Sequence, residues 1–232
     1  MRGVSNVALL IDADNAAPAT LDPVLTVLAE LGTVNIRRAY GNWTKTSLKG
    51  WSNVSHQYAI EPHQQFDVTK GKNATDMKMT IDAMDLLFGG RVDGFGIMSS
   101  DSDFAPLVMR IRQDGLPVYG FGTDKAPAAF RQACTRFIDV AAIVAGPGSV
   151  AKPAKTPIDD ALIGLLTDAV AASKRDERGF ASLSEVGNLA GNRSSFDARN
   201  YGFSRLSDLI ETIPRFAVER REGGAVYVKR VR

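Results

Sequence analysis

Short apolar runs alternate with longer amphipathic segments through the first part of the chain. The first run, at residues 7–12, is continuous, as a buried parallel strand is, and further strands are predicted at residues 34–40, 55–60, 94–99 and 117–121. The helical patterns lie between them, at residues 18–31, 76–88 and 104–113. This alternation predicts an α/β fold, in which helices cover both faces of a parallel sheet.

The segment 76–88 has the clearest helical pattern. Met77, Ile81, Met84 and Phe88 fall at i, i+4, i+7 and i+11, so they form one narrow apolar stripe. Asp82 and Asp85 lie off this stripe. We therefore expect these two carboxylates to be solvated or to support a site formed by other residues.

The pattern changes after a segment rich in proline, glycine and small residues at 145–157. Three short helices and a hairpin around a glycine pair at 223–224 then predict a small winged-helix domain. The predicted helix starts are Thr156 followed by Pro157, a capping box of Ser182 and Glu185, and Ser204. We thus predict a domain at 1–144, a linker at 145–156 and a second domain at 157–232.

The composition is that of an ordinary globular protein. The chain has 232 residues, 44% of them hydrophobic and 23% charged, with a net charge of +2. A single cysteine, Cys134, excludes a disulfide framework and a four-cysteine zinc site. Apolar stretches fall far short of the roughly 20 residues that cross a bilayer, and none resembles a secretory signal. We therefore expect a cytoplasmic protein without a membrane partner.

Carboxylates gather at the predicted strand ends. Asp12 and Asp14 follow the first strand, Asp101 and Asp103 follow a later one, and Asp76 opens a helix. In an open parallel sheet, groups at the carboxyl ends of strands share one crevice. Converging carboxylates repel one another by roughly 1–4 kcal/mol per pair, so they must protonate, spread apart or hold a cation. Without nearby histidine or cysteine, hard oxygen ligands favour Mg²⁺ or Mn²⁺, which suits hydrolysis of a phosphate ester.

Other interpretations of these acids stay open. Each aspartate taken alone could cap a helix or interact with its dipole. The D-x-D at 12–14 is also typical of phosphatases with an aspartyl nucleophile, although Asn15 and Ala16 fit that pattern poorly.

Four ordered motifs carry a family resemblance over about residues 5–140. They read IDADN at 11–15, RAYGNW at 38–43, KGKNATDMKMTIDAMD at 70–85 and SSDSDFAPLVMRIRQDG at 99–115. This part of the chain resembles the LabA-like branch of the NYN domain, a member of the PIN-like nuclease superfamily. The resemblance implies a PIN-like three-layer domain with a mainly parallel central sheet.

The resemblance also implies roles for particular residues. It assigns the acidic metal site, and with it catalysis, to Asp12, Asp76, Asp101 and Asp103. By resemblance Asn15 supports this site, and Asp14 is at a more variable position of the family pattern. We also expect Ser99 and Asp82 to support the site. Ser100 stands where many members have glycine, which leaves the acidic set intact.

The second domain is similar to the LOTUS fold, also called OST-HTH. The similarity rests on FDARNYGFSRLSDLIE at 196–211 and FAVERREGGAVYV at 216–228. It implies a winged-helix module that binds RNA or a protein partner such as an RNA helicase.

Basic residues interleaved with aromatic ones indicate where RNA binds, because phosphates need positive charge and bases stack on rings. The candidates are Lys70, Lys72, Arg38 and Trp43 in the first domain and Arg199, Arg205, Arg220 and Arg221 in the second. Trp51 is a further aromatic candidate, whereas His63 and Cys134 are assigned to the structure rather than to a site.

The leading hypothesis is a metal-dependent ribonuclease, endonucleolytic, that acts on single-stranded RNA. The alternative is a catalytically silent regulator that binds RNA or protein. The oligomeric state, including a homodimer, stays open.

Overall fold

The computed structural model describes residues 6–66, 73–144 and 156–231. The chain forms two compact units, residues 1–144 and 145–232. Most of the predicted linker at 145–156 lies outside the described residues. No helix in the described ranges is long and apolar enough to span a membrane.

The first unit is built on a six-stranded parallel sheet. Its strands are β1 Asn6–Asp12, β2 Thr33–Gly41, β3 Glu61–Gln64, β4 Gly94–Met98, β5 Val118–Gly122 and β6 Arg136–Asp139. Their order in space is β3-β2-β1-β4-β5-β6. The chain moves outward from β1 to β3 and then returns to the other side of β1. The strand order therefore reverses between β1 and β4, where open α/β sheets form their binding crevice.

Helices cover both faces of this sheet, as predicted. They are α1 Leu21–Ala29, α2 Trp51–Gln57, α3 Ala74–Phe88, α4 Ala105–Gln113, α5 Ala128–Ala133 and α6 Val140–Val144. Successive side chains of β1 point to opposite faces, so Leu10 joins the core beneath α3 and α4, and Leu9 joins the core beneath α1. The central strand is thus buried on both sides, which explains its continuous apolar run.

The predicted strand at 55–60 is wrong. Residues Trp51–Gln57 form α2, because Trp51 and Val54, one helical turn apart, both pack on the core of that face. The strand in this region is β3, which lies at the edge of the sheet and accommodates Pro62 there.

The predicted helix at 76–88 is confirmed, with a different orientation from the one its apolar stripe indicates. Met79, Ala83 and Leu86 face the sheet. The stripe turns outward instead, with Met77 63% and Phe88 67% exposed. This rotation buries Asp82 and leaves Asp85 at the surface.

The second unit contains three helices and a small antiparallel sheet. The helices are α7 Asp160–Ala172, α8 Leu183–Arg193 and α9 Leu206–Glu211. The strands are β7 Ala181–Ser182, β8 Phe216–Arg220 and β9 Val226–Arg230, in the order β7-β9-β8. The predicted hairpin is present, since β8 and β9 pair on either side of the glycine turn.

The predicted caps of this unit need correction. The Asp159 carboxylate, not Thr156, caps α7, accepting the Leu162 N–H at 2.9 Å. Ser182 precedes α8 without a capping hydrogen bond. Glu185 accepts the Lys174 N–H at 3.0 Å instead, so the capping box is absent. The third helix begins at Leu206.

Candidate functional site

The carboxyl ends of β1 and β4 meet at the point where the strand order reverses. Asp12 is the last residue of β1, and Ser99 follows β4 directly. The Ser99 hydroxyl donates a hydrogen bond of 2.7 Å to Oδ2 of Asp12. This bond joins the two strand ends at the predicted crevice.

Three carboxylates come together above this point. One oxygen each of Asp76, Asp101 and Asp103 can be chosen so that all lie within 4.8 Å of one another. Asp76 lies in the first turn of α3, and the other two belong to a turn after β4. The Asp101 carboxylate accepts the Asp103 N–H at 2.9 Å, so it is Asp101 that caps this turn. We name Asp76, Asp101 and Asp103 the acidic triad.

Asp12 lies next to the triad and is fully buried. Its Oδ2 accepts hydrogen bonds from the Asn15 amide at 2.8 Å and from Ser99. Among the described residues, its Oδ1 has no hydrogen-bond partner. Burial raises the pKa of Asp12, and the hydrogen bonds from Asn15 and Ser99 oppose that rise. A buried carboxylate oxygen without a donor is costly, and a cation or a proton removes that cost.

The electrostatics of Asp76 show that the four acids act on one another. Burial, followed by the negative charges of Asp12, Asp101 and Asp103, raises the pKa of Asp76 to about 6. Within the described ranges, no lysine or arginine forms an ion pair with the triad. The acids lack protein counter-charges and offer only hard oxygen atoms, so the donor set fits a divalent cation.

The neighbouring acid Asp14 differs, because the protein supplies its partners. Lys45 Nζ lies 3.2 Å from Oδ1 of Asp14, and the Thr75 hydroxyl donates to Oδ2 at 3.2 Å. In the acidic triad, the Asn73 amide donates a hydrogen bond of 2.5 Å to the Asp103 carboxylate. Asn73 and Thr75 were not singled out from the sequence, whereas Lys45 was considered only among basic residues near aromatic ones. The only available signal was the polar run that precedes Asp76.

Asp82 belongs to a separate group of side chains, which we name the Asp82 cluster: Arg38, Tyr40, His63, Lys78 and Asp82. Lys78 lies 2.8 Å from the carboxylate, the Tyr40 hydroxyl donates at 3.1 Å, and His63 Nδ1 lies 3.3 Å away. Arg38 lies 3.6 Å from Asp82 and also pairs with Glu61 at 3.2 Å. Burial opposes ionisation of Asp82, yet the hydrogen bonds from Lys78 and Tyr40 prevail and lower its pKa.

The contacts of the His63 side chain could not be predicted from the residues next to it in the sequence. Its two ring nitrogens lie 3.3 Å from Asp82 and 3.2 Å from Glu61. Strand β3 brings His63 beside Tyr40 of β2, so the acids that approach it come from another element and from its own strand. This position between two carboxylates agrees with the predicted structural assignment of His63.

A family model for the NYN domain matches residues 6–143, more than half of the chain. The chain belongs to the NYN domain family. A second model, for the OST-HTH/LOTUS domain, matches residues 155–228. Both matches agree with the predicted architecture, and we use NYN domain and LOTUS domain for the two units below. The NYN domain has the nuclease-like fold of its family, with a triad of acids at the switch point.

Two relatives place this family match in context. An uncharacterised protein of Methanocaldococcus jannaschii is 27% identical over 133 residues, which are 53% of this chain and 50% of that protein. The match therefore spans about half the length of that relative. A solved protein of unknown function from Vibrio parahaemolyticus is similar with a TM-score of 0.50 and 18% identity, covering 60% of this chain and 94% of its own. At this identity the likeness concerns the fold alone.

The predicted RNA-binding residues of the NYN domain lie in varied environments. Arg38 is held in the Asp82 cluster. The Trp43 indole N–H donates to the backbone oxygen of His63 at 3.0 Å, and its ring packs on the core. Trp51 is buried, so its ring is closed to bases. The candidates Lys70 and Lys72 lie outside the described residues.

Three of the four candidates in the LOTUS domain are ion-paired. Arg199 pairs with Asp197 at 3.1 Å, and Arg220 pairs with Glu211 at 2.8 Å. Arg221 pairs with Asp176 and Glu219 while its guanidinium stacks 3.8 Å from the centre of the Tyr227 ring. Arg205 is exposed and has no ion pair within the described part of the chain.

The LOTUS domain has a basic pocket that the sequence analysis predicted only in part. It measures about 470 Å³ and lies between α7, the following turn and β9. Four cationic residues and no acid line it, namely Arg175, Arg178, Lys229 and Arg230. Arg178 pairs with Glu219, whereas Arg175 and Arg230 have no ion pair within the described residues. Arg175 and Arg178 precede β7 in sequence, and only the fold brings them beside β9.

Proposed function

We propose that the NYN domain is a divalent-cation-dependent ribonuclease that cleaves RNA internally. The acidic triad would hold Mg²⁺ or Mn²⁺, with Asp12 beside it. The observation that carries the proposal is the set of three carboxylates within 4.8 Å at the switch point, together with the fully buried Asp12, whose charge helps to raise the pKa of Asp76. Such a set is costly for the protein alone and favourable around a divalent ion.

The residues of the chain prepare this site for a cation. Asn15 and Ser99 hold one oxygen of Asp12, which leaves the other for a ligand. Since the pKa of Asp76 is about 6, its carboxylate is ionised at neutral pH and can coordinate. A bound divalent ion supplies a Lewis acid that activates water and stabilises charge on a phosphate.

Protein nucleophiles fit less well. Burial raises the pKa of the Cys134 thiol to about 12, so it is inert. The Asp12 carboxylate is fully buried with Oδ2 bound to two donors, which argues against the aspartyl nucleophile of a phosphatase.

The decisive experiment is cleavage of labelled single-stranded RNA with Mn²⁺, with Mg²⁺ and with a chelator. We expect cleavage with either ion, none with chelator, and loss of cleavage in Asp101→Asn. The matched control is Asp114→Asn, which removes a carboxylate from a surface ion pair with Arg110 in the same domain. Cleavage that survives chelator and Asp101→Asn would overturn the proposal, whereas RNA binding without cleavage would favour the silent regulator.

For the LOTUS domain, we propose that the basic pocket binds RNA phosphates. Arg175 and Arg230, which have no ion pair within the described residues, supply positive charge where the lining has no acid. We expect Arg175→Glu and Arg230→Glu to weaken RNA binding and to reduce its salt dependence. The control Arg193→Glu changes the same charge on α8, where Arg193 pairs with Asp168 at 3.1 Å. Equal losses in all three variants would contradict a specific site.

A further inference from the structure

Helix α3 has an apolar surface that the described residues of its own unit leave largely exposed. Met77 is 63%, Ile81 53% and Phe88 67% exposed, and Met84 between them is partly buried. We name these four residues the outer stripe. On the opposite side, Met79 and Ala83 are fully buried against the sheet. The helix is therefore apolar on two sides. On the outer side the Arg110 guanidinium lies 5.4 Å from the centre of the Phe88 ring and Met84 packs partly on the core, while Met77 and Ile81 stay exposed.

The spacing of the outer stripe indicates what covers it. Its members are separated by four, three and four residues, as alternate core positions of a heptad are. A helix that packs on a sheet needs a wider apolar face, which α3 has on its inner side. A strict alternation of four and three is typical of a seam between two helices, where side chains of one fit between those of the other.

We propose that two copies of this chain associate through α3, with the two helices antiparallel about a two-fold axis. In this pairing Met77 lies opposite Phe88 of the partner subunit, and Ile81 lies opposite Met84 of the partner subunit. The contact is self-complementary, as a two-fold interface requires. This inference does not depend on the proposed ribonuclease activity.

The charges beside the outer stripe favour the antiparallel direction. Lys78 directly follows Met77, and Asp85 directly follows Met84, so both flank the seam on the same side. In an antiparallel pair like flanks meet, so each Lys78 approaches the partner subunit's Asp85, and flanking charges of this kind set helix orientation. Asp85 is exposed and has no ion pair within the described residues. Lys78 contacts Asp82 at 2.8 Å and keeps further N–H donors for a second carboxylate.

The first test is the mass of the full chain in solution by sedimentation, from low to high micromolar concentration. We expect a reversible dimer of the 25.0 kDa chain. Ile81→Glu places a charge in the seam and should raise the dissociation constant by at least about tenfold. The matched control is Ile158→Glu, which adds the same charge at an apolar residue of the LOTUS unit that is 38% exposed and should leave the dimer intact.

The second test is disulfide cross-linking, which reads the direction of the helices. Residues 77 and 88 of one α3 are about 16 Å apart at 1.5 Å per residue, too far for a disulfide within one chain. A mixture of Met77→Cys and Phe88→Cys should therefore give covalent dimers after oxidation, while each variant alone should not. Cys134 is buried and should not interfere.

The outcomes separate clearly. A monomer at every concentration, or a dimer that Ile81→Glu leaves unchanged, overturns the proposal. Cross-linking of Met77→Cys with itself would show parallel helices and overturn the proposed direction. Cross-linking confined to the mixture, together with monomeric Ile81→Glu, supports it.

Discussion

Asp76 and Asp82 lie six positions apart on α3 and show two ways of placing a carboxylate in this fold. Lys78, Arg38, His63 and the Tyr40 hydroxyl surround Asp82, and its pKa is lowered despite burial. The neighbours of Asp76 are other acids, and its pKa is raised to about 6. The protein thus balances the charge of Asp82 with its own side chains, whereas no described cationic side chain pairs with Asp76. A cluster of acids indicates a cation site only where such internal partners are missing.

Exchanging each carboxylate for its amide should give the largest contrast in RNA cleavage. We expect Asp76→Asn to lower the single-turnover rate with Mn²⁺ by at least about a hundredfold, because one ligand of the ion is lost. Asp82→Asn should stay within about tenfold of the wild type at a temperature where it is folded. Similar losses of cleavage rate in both variants would contradict the different roles assigned to Asp76 and Asp82.

The free energy of unfolding should show the opposite order, with the larger loss in Asp82→Asn. Asp82→Asn leaves Lys78, Arg38 and His63 without their shared carboxylate, so we expect a loss of about 2–3 kcal/mol. The partners are partly exposed, which keeps the loss below that of a fully buried pair. Urea unfolding followed by tryptophan fluorescence measures it, since both tryptophans of the chain lie in the NYN domain. The control Asp114→Asn should change stability by less than about 0.5 kcal/mol, and an equal loss there would contradict the account.

The hydrogen bonds that hold Asp12 should matter for cation binding. Ser99→Ala removes the donor at 2.7 Å from Oδ2, and we expect Mn²⁺ affinity to fall by about tenfold in titration calorimetry. Ser52→Ala, on the exposed side of α2, is the matched control and should bind Mn²⁺ as the wild type does. Unchanged affinity in Ser99→Ala would show that Asp12 takes no part.

The smallest expected effect is a pH dependence of the cation-free protein. Asp76 has a pKa of about 6 when folded against 3.8 as the ordinary value, so the folded state favours its protonated form. Its contribution to stability is therefore complete below about pH 4 and is lost as the pH rises through 6. We expect Asp76→Asn to melt a few degrees higher than the wild type at pH 7.5, roughly 2–4 °C per kcal/mol, and to lose this advantage at pH 4.

Added Mg²⁺ should reverse the order at pH 7.5, because an ion that binds only the folded wild type stabilises it. A wild type that is as stable as the variant at both pH values, and indifferent to Mg²⁺, would contradict the raised pKa.

The sequence was sufficient for those features that depend on local pattern. A strand that is buried on both faces has a continuous apolar run, and this pattern predicted β1 and β4. The acids that follow these strands were predicted with them. The segment 55–60 was misassigned because apolar residues near a helix end resemble a short strand. Strand β6 and helix α5 were missed, since each is short and mixes polar with apolar residues.

Features that depend on tertiary contacts were not predictable in this way. The periodicity of α3 identified its outer stripe but not the second apolar side, formed by Met79, Ala83 and Leu86. Asp82 was expected to be solvated or to support the acidic site, yet it is buried beside Lys78 of its own helix and Arg38 and Tyr40 of β2. Only the fold shows which carboxylates receive cations from distant elements.

The most direct test of the central claim is a crystal of the full chain soaked in Mn²⁺ and measured at the manganese absorption edge. We predict an anomalous peak among the carboxylates of Asp76, Asp101 and Asp103, beside Oδ1 of Asp12, and no peak at Asp82. A difference map without a peak at the triad, or with manganese at the Asp82 cluster instead, would contradict the account.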